Sequence, residues 1–179
     1  MLIYVSSLEI NLAGNVNQLR FKLGTSNPLP LDLETSGLVK LGLWGGNEGT
    51  LQDIDGHPTR LTKIVIRSAH AIDALQFDYV EDGKTFAAGQ WGGNGGKSDT
   101  IEFQPGEYLI AIKGTTGALG AVTNLVRSLT FISNMRTYGP FGLEHGTPFS
   151  VPVASGRIVA FYGRFGSLVD AFGIYLMPY

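Results

Sequence analysis

The strongest constraint on this chain is a segment that recurs. Trp44-Gly45-Gly46-Asn47-Glu48-Gly49-Thr50 returns as Trp91-Gly92-Gly93-Asn94-Gly95-Gly96-Lys97, and a weaker echo follows at Tyr138-Gly139-Pro140-Phe141-Gly142-Leu143-Glu144-His145-Gly146-Thr147. Trp44, Trp91 and Tyr138 stand 47 and 47 residues apart, and three units of that length nearly fill the stretch from Lys40 to Tyr179. A fixed period of this size marks repeated supersecondary units. One such unit cannot bury its apolar face alone, whereas three facing inward share a core. A trefoil or a sandwich with chance glycine turns is the alternative, and two identical intervals argue against chance.

Within the units the hydrophobic period is mostly two. Leu61, Ile64 and Ile66, then Leu75, Phe77 and Tyr79, then Ile101 and Phe103 predict strands, as do Tyr108, Ile110 and Ile112. Residues 125–132, 158–162 and 172–176 read the same way. About four strands per unit predict an all-β domain of about twelve strands with little or no helix. The 25 glycines follow no collagen triplet and are spread among β-branched and aromatic residues, as tight turns between short strands require.

Residues 1–37 form an N-terminal extension to the repeated domain at 38–179. Leu8, Ile10 and Leu12, then Leu19, Phe21 and Leu23, alternate with polar residues, so two strands with a turn near Gly14-Asn15 are expected. Asn27-Pro28-Leu29-Pro30-Leu31 then reads as a linker or extended arm. A hairpin on the main domain, a remnant of a larger module and a disordered leader remain open. Glu9 interrupts the apolar start and no basic residue precedes it, so the segment is a poor signal peptide and a cytoplasmic or nucleocytoplasmic protein is expected. No apolar stretch is long enough for a membrane span.

Composition excludes several classes of function. A formal net charge of −2, with 13 Lys and Arg in no run, argues against nucleic acid as a partner. The absence of cysteine removes disulfides and Cys-ligated zinc. His57, His70 and His145 lack metal-ligand spacing, so neither a metal nor another cofactor is expected. No serine sits in a nucleophile elbow. A glycosidase needs two carboxylates about 5–10 Å apart, and Asp170 has only Glu48 as a conceivable second. No catalytic residue is assigned, and an enzyme is not expected.

The chemistry-bearing motif lies near the end, at Gly166-Ser167-Leu168-Val169-Asp170, leading into an apolar strand. Gly166 permits close backbone approach. The N–H groups of Ser167 and Leu168 can point the same way as the Asp170 carboxylate. Two neutral donors and one charged acceptor suit a polyhydroxylated neutral ligand better than covalent chemistry, which needs a nucleophile beside a base. The motif echoes at Ala69-His70-Ala71-Ile72-Asp73 and at Gly120-Ala121-Val122-Thr123-Asn124, but only the last copy keeps both glycine and acid.

Trp-Gly-Gly-Asn-x-Gly at 44–49, Tyr-Gly-Pro-Phe-Gly at 138–142, Gly-Thr-Pro-Phe-Ser-Val-Pro at 146–152 and Phe-Tyr-Gly-Arg-Phe-Gly-Ser-Leu-Val-Asp-Ala-Phe-Gly-Ile-Tyr at 161–175 resemble the jacalin-related lectins. The resemblance is to their mannose-binding plant members and covers about residues 38–179. It implies a β-prism of three four-stranded Greek-key sheets with pseudo-three-fold symmetry and a metal-free site for mannose or glucose units. Carried over, Asp170 accepts from two sugar hydroxyls and the N–H groups of Ser167 and Leu168 donate. Gly166 shapes the loop, and the Gly49 N–H reaches the ring from the other side. Glu48 departs from the family's usual glycine; a positive φ there would strain it, and its charge bears on affinity.

A second candidate site combines Asp73 with Gly95 and Gly96. Ala69 in place of glycine, and His70 where such members carry an acid, count against it. The third copy has lost its charge and reads as structural, and Trp44 and Trp91 read as packing residues. An uninterrupted chain upstream of Trp44 favours mannose over galactose, whose binders in this family start the glycine loop at a free amino terminus. The resemblance further implies a homo-oligomer, dimer or tetramer, since one shallow site holds a monosaccharide at about −4 kcal/mol and avidity comes from several. Some members are fused to other modules or act in defence, so an interaction module whose N-terminal arm recruits a protein partner is the rival function.

Overall fold

A computed structural model describes residues 37–179, together with two short strands at Tyr4–Val5 (β1) and Leu23–Gly24 (β2). The chain divides into two compact units, Met1–Thr35 and Ser36–Tyr179. In the first, β1 and β2 pair antiparallel, Tyr4 with Gly24 and Val5 with Leu23. The strands expected over Leu8–Leu12 and Leu19–Leu23 lie outside the described residues, apart from Leu23.

The second unit is all-β. Its strands are Val39–Gly45 (β3), Thr50–Gln52 (β4), Arg60–Ser68 (β5), Ile72–Glu81 (β6), Lys84–Gly92 (β7) and Lys97–Glu102 (β8). Leu109–Leu119 (β9), Val122–Ser133 (β10), Thr137–Gly142 (β11), Thr147–Pro152 (β12), Arg157–Phe165 (β13) and Val169–Met177 (β14) follow. Three four-stranded antiparallel arrays result, in the orders β3-β14-β13-β4, β7-β6-β5-β8 and β11-β10-β9-β12. The first and third join where Ile158 on β13 pairs with Leu109 on β9. Each array has a long, largely buried central hairpin flanked by two outer strands. A glycine-rich loop crosses the hairpin's end to connect those outer strands, which is a Greek key. This is the β-prism.

The arrays do not coincide with consecutive 47-residue segments. The second and third each take four successive strands, but the first borrows β3 and β4 from the start of the domain and β13 and β14 from its end. Nor does Tyr138 stand where Trp44 and Trp91 do. β3, β7 and β11 end at Gly45, Gly92 and Gly142, so Phe141 holds the corresponding place. The extra residues lie in the β9–β10 hairpin, whose strands of 11 and 12 residues exceed the 9 and 10 of β5 and β6. The β10–β11 register irregularity between Leu129 and Phe131 has counterparts in both other arrays.

Alternation turns one face of every array inward, where phenylalanines from all three meet. Phe161 on β13 packs edge-on to Phe77 on β6 at 5.1 Å and lies 5.8 Å from Phe131 on β10 and 5.2 Å from Phe172 on β14. All four are fully buried. Trp91 joins them, T-shaped to Phe77 at 5.2 Å, while Trp44 stacks parallel on Phe149 at 5.3 Å. Offset and edge-to-face ring pairs add to area burial, so the junction of three arrays rests on one ring. Phe161→Ala should therefore cost about 3–5 kcal/mol, read as a lowered urea midpoint.

At the far end of the β9–β10 hairpin from the glycine loops, buried Glu107 accepts from the hydroxyls of Ser133 and Tyr138, each at 2.7 Å, and from the Gln104 N–H at 3.0 Å. Burial pushes its carboxyl upward, but those bonds and the Arg136 charge outweigh burial and hold it below the ordinary value. Burial and the same contact push Tyr138 up to about 12. A depressed carboxyl contributes stability that is present above its unfolded pKa and lost as pH falls through the folded one. Glu107→Gln should lower the melting temperature at neutral pH and reduce its fall on acidification, measured by calorimetry.

Candidate functional site

The three glycine-rich loops close on the hairpins in the same way. Gly46 N–H donates to the Asp170 carbonyl at 2.7 Å, Gly93 N–H to the Asp73 carbonyl at 2.9 Å, and Leu143 N–H to the Arg127 carbonyl at 3.0 Å. These bonds put Asp170, Asp73 and Arg127 in corresponding places.

At the first loop, Gly49 has φ +68°. A Cβ there would land on the Asp170 carboxylate and come within 2.8 Å of the Phe165 backbone, so the loop can lie against the acid only with glycine at that point. A Cβ on Gly166 would stand 3.2 Å from the same carboxylate oxygen. Gly49, Gly166 and Asp170 are thus brought together. Ser167 is exposed, and Leu168 closes the turn by accepting from the Gly166 N–H at 3.0 Å. Arg164 donates to the Gly49 carbonyl at 3.1 Å and pins the glycine loop. Asp170 is only 6% exposed. Burial pushes its carboxyl above the ordinary value and the negative Glu48 adds to this, while the Gly166 N–H and Arg164 oppose it. Glu48 is not strained: among the described residues the non-glycine with positive φ is Asp82.

The second loop repeats the geometry. Cβ atoms on Gly95 and Gly96 would meet the two oxygens of the Asp73 carboxylate. Arg67 stands where Arg164 does in the first loop and donates to the carbonyls of Asn94 and Gly95 at 2.8 Å and of Gly96 at 3.1 Å. Ala69 closes the same turn as Gly166, donating to the Ala71 carbonyl at 3.0 Å. Gly166 is not in the left-handed region, so the lost glycine does not change the backbone. Asp73 is 9% exposed and its Oδ2 has no hydrogen-bond partner. Burial raises its pKa, against the pull of Arg67 and the Ala69 N–H.

The third position corrects the repeat read in the sequence. Asn124 does not face the third loop; it donates to the Gly45 carbonyl at 2.9 Å and packs under Gly46. The acid's place belongs to Arg127, because more residues separate Thr116 from Arg127 than separate Phe165 from Asp170. The loops interlock in a ring, since Gly93 packs on the Ser167 carbonyl and Arg127 donates to the His70 carbonyl at 3.0 Å. Arg67 and Arg164 escaped the sequence reading, although both precede the turn residue by two positions, a signal available in the repeat. Among the described residues no three His, Cys, Asp or Glu side chains group to hold a metal.

A prism with a carboxylate set beneath a glycine loop defines a carbohydrate-binding domain of the β-prism class. Residues 41–175 match the Jacalin-like lectin domain. The chain belongs to this family of lectins. It is similar to horcolin of Hordeum vulgare, 38% identical over 143 residues that cover 78% of this chain and 97% of horcolin. Jacalin-related lectin 3 of Arabidopsis thaliana is 42% identical over 143 residues, and there the chain spans 78% of its own length but 24% of the relative's. The structure of a mannose-specific jacalin-related lectin from Morus nigra in complex with mannose is similar at a TM-score of 0.76 and 38% identity, covering 83% of this chain and 99% of that one.

Two buried, raised carboxylates destabilise the fold while they stay charged. A group with a raised folded pKa favours the folded state as pH falls. Asp170→Asn should accordingly raise the melting temperature at pH 7 and leave it nearly unchanged in acid, measured by differential scanning fluorimetry.

Proposed function

We propose that this lectin holds a mannose or glucose unit reversibly between the Gly46–Gly49 loop and the Gly166–Asp170 loop. The observation that carries the reading is the Asp170 carboxylate, nearly buried yet lying directly beneath Gly49. Its oxygens accept from two vicinal sugar hydroxyls, and hydrogen bonds to an ionised acceptor are the strong kind, about 1.5–3 kcal/mol each. The Ser167 and Leu168 N–H groups donate to a third hydroxyl and the ring oxygen, and the Gly49 N–H approaches from the opposite side. Binding needs neither a metal nor a covalent step. The mannose held by the similar Morus nigra lectin supports this choice of sugar.

The unpartnered Asp73 oxygen favours a second sugar site of the same form at Gly95 and Gly96. Hydroxyls of a ligand would supply the donors this buried atom lacks. A dimer or tetramer would multiply weak single sites into useful avidity. Recruitment of a protein partner by residues 1–37 remains the rival reading, and retention on mannose–agarose separates the two.

Asp170→Ala should lower affinity for methyl α-mannoside by at least about 100-fold, as expected for loss of two charged hydrogen bonds, while leaving binding at Asp73 detectable by calorimetry. An unchanged isotherm would sink the assignment. Arg164→Ala, which only frees the loop, should cost about tenfold, as one hydrogen bond does. Because burial and Glu48 raise the Asp170 pKa, mannoside binding should weaken as pH falls, beginning above the ordinary carboxylate range. Glu48→Gly should move that loss to lower pH.

A further inference from the structure

Three equivalent loops carry three different charge patterns. The residue before the closing glycine is Glu48, Gly95 or His145, and the residue beneath the loop is Asp170, Asp73 or Arg127. The first place is doubly acidic and the second singly so. At the third, a guanidinium and an imidazole replace both acidic groups.

Arg127 is 5% exposed. Its Nε donates to the His70 carbonyl at 3.0 Å and its Nη1 to the Ala118 carbonyl, which uses two of five N–H donors. Both partners are neutral. None of the ion pairs among the described residues involves Arg127, and none joins it to Glu144, which is exposed in the adjoining loop. A buried charge without a counter-charge is costly, and an anionic ligand is what such a group lacks. Gly117 lets the loop lie close over Arg127: a Cβ there would stand 3.3 Å from the Gly146 Cα and 3.9 Å from the Arg127 Cγ. Thr115 holds the loop by accepting from the His145 N–H at 3.3 Å, as Arg164 and Arg67 hold theirs. His145 is exposed beside it.

We infer that the third loop, with Arg127 and His145, binds the oxyanion group of an acidic sugar, a carboxylate, sulfate or phosphate borne on a hexose. A planar guanidinium with spare N–H donors suits two oxygens of one such group. The His145 ring N–H adds a donor, and the loop supplies the surface on which the neutral part of the sugar lies. The site is independent of the sugar assigned to Asp170.

The test uses the full chain carrying Asp170→Asn and Asp73→Asn, titrated with mannose 6-phosphate, glucuronate, methyl α-mannoside and inorganic phosphate. Calorimetry and the Arg127 Nε–H resonance read binding. Both acidic sugars should bind and shift that resonance, whereas methyl α-mannoside should not. Arg127→Gln added to this variant should weaken the acidic sugars at least about tenfold, the loss of one charge-assisted hydrogen bond. Arg127→Gln alone should leave mannoside binding at Asp170 intact, which reports that the prism has folded. If that variant does not fold, His145→Ala should weaken the acidic sugars severalfold, and the resonance in the parent chain is decisive. No shift with either acidic sugar overturns the site. Equal affinity for inorganic phosphate overturns the sugar part, and unchanged affinity in Arg127→Gln or, failing that, His145→Ala places the ligand elsewhere.

Discussion

The domain depends on backbone lying directly against backbone at the ends of its hairpins. Gly46 and Gly93 give their N–H groups to the carbonyls of Asp170 and Asp73, and Leu143 gives its own to Arg127. Any side chain at Gly45 or Gly92 would run into the strand it crosses. This contact lets the outer strands sit on opposite edges of the hairpin and closes the Greek key. It also places the side chain of one hairpin residue beneath the loop. Fold and site thus come from one constraint, and a substitution that prised the loop away would damage both.

Stability and binding pull against each other at that point. Glu107, at the other end of a hairpin, is buried with every interaction it needs and is held below its usual pKa. Asp170 and Asp73 are nearly as buried but pushed upward, because burial exceeds what the neighbouring donors return. A carboxylate short of donors is poor for folding and suited to a ligand rich in hydroxyls. The clamps Arg164 and Arg67 spend their donors on loop carbonyls rather than satisfying the acids.

Much of this was legible in the residues. Period-two alternation predicted the strands, and the recurrence of Trp-Gly-Gly-Asn marked the first two loops. Gly166 and Asp170 could be read as a unit because only three residues separate them, across the β13–β14 turn. A positive φ would have strained Glu48, but it has none, since it is Gly49 that turns left-handed. Asn124 looked like the third copy of the acid because it follows Gly120 at the same spacing. The β9–β10 hairpin has longer strands than its counterparts and runs further past the loop, so equal spacing no longer means equal place.

The chain alone determined what is local: alternation, tight glycine turns, and a donor–acceptor motif contained in five residues. Those follow from steric limits on a few adjacent dihedrals. Tertiary structure decided that the first array is completed by the chain's end and that Phe141 takes the place of the tryptophans. It also set Arg127, rather than Asn124, under the third loop. Such outcomes rest on the register of strand pairs, in the first array between strands far apart in sequence, which neither composition nor spacing encodes.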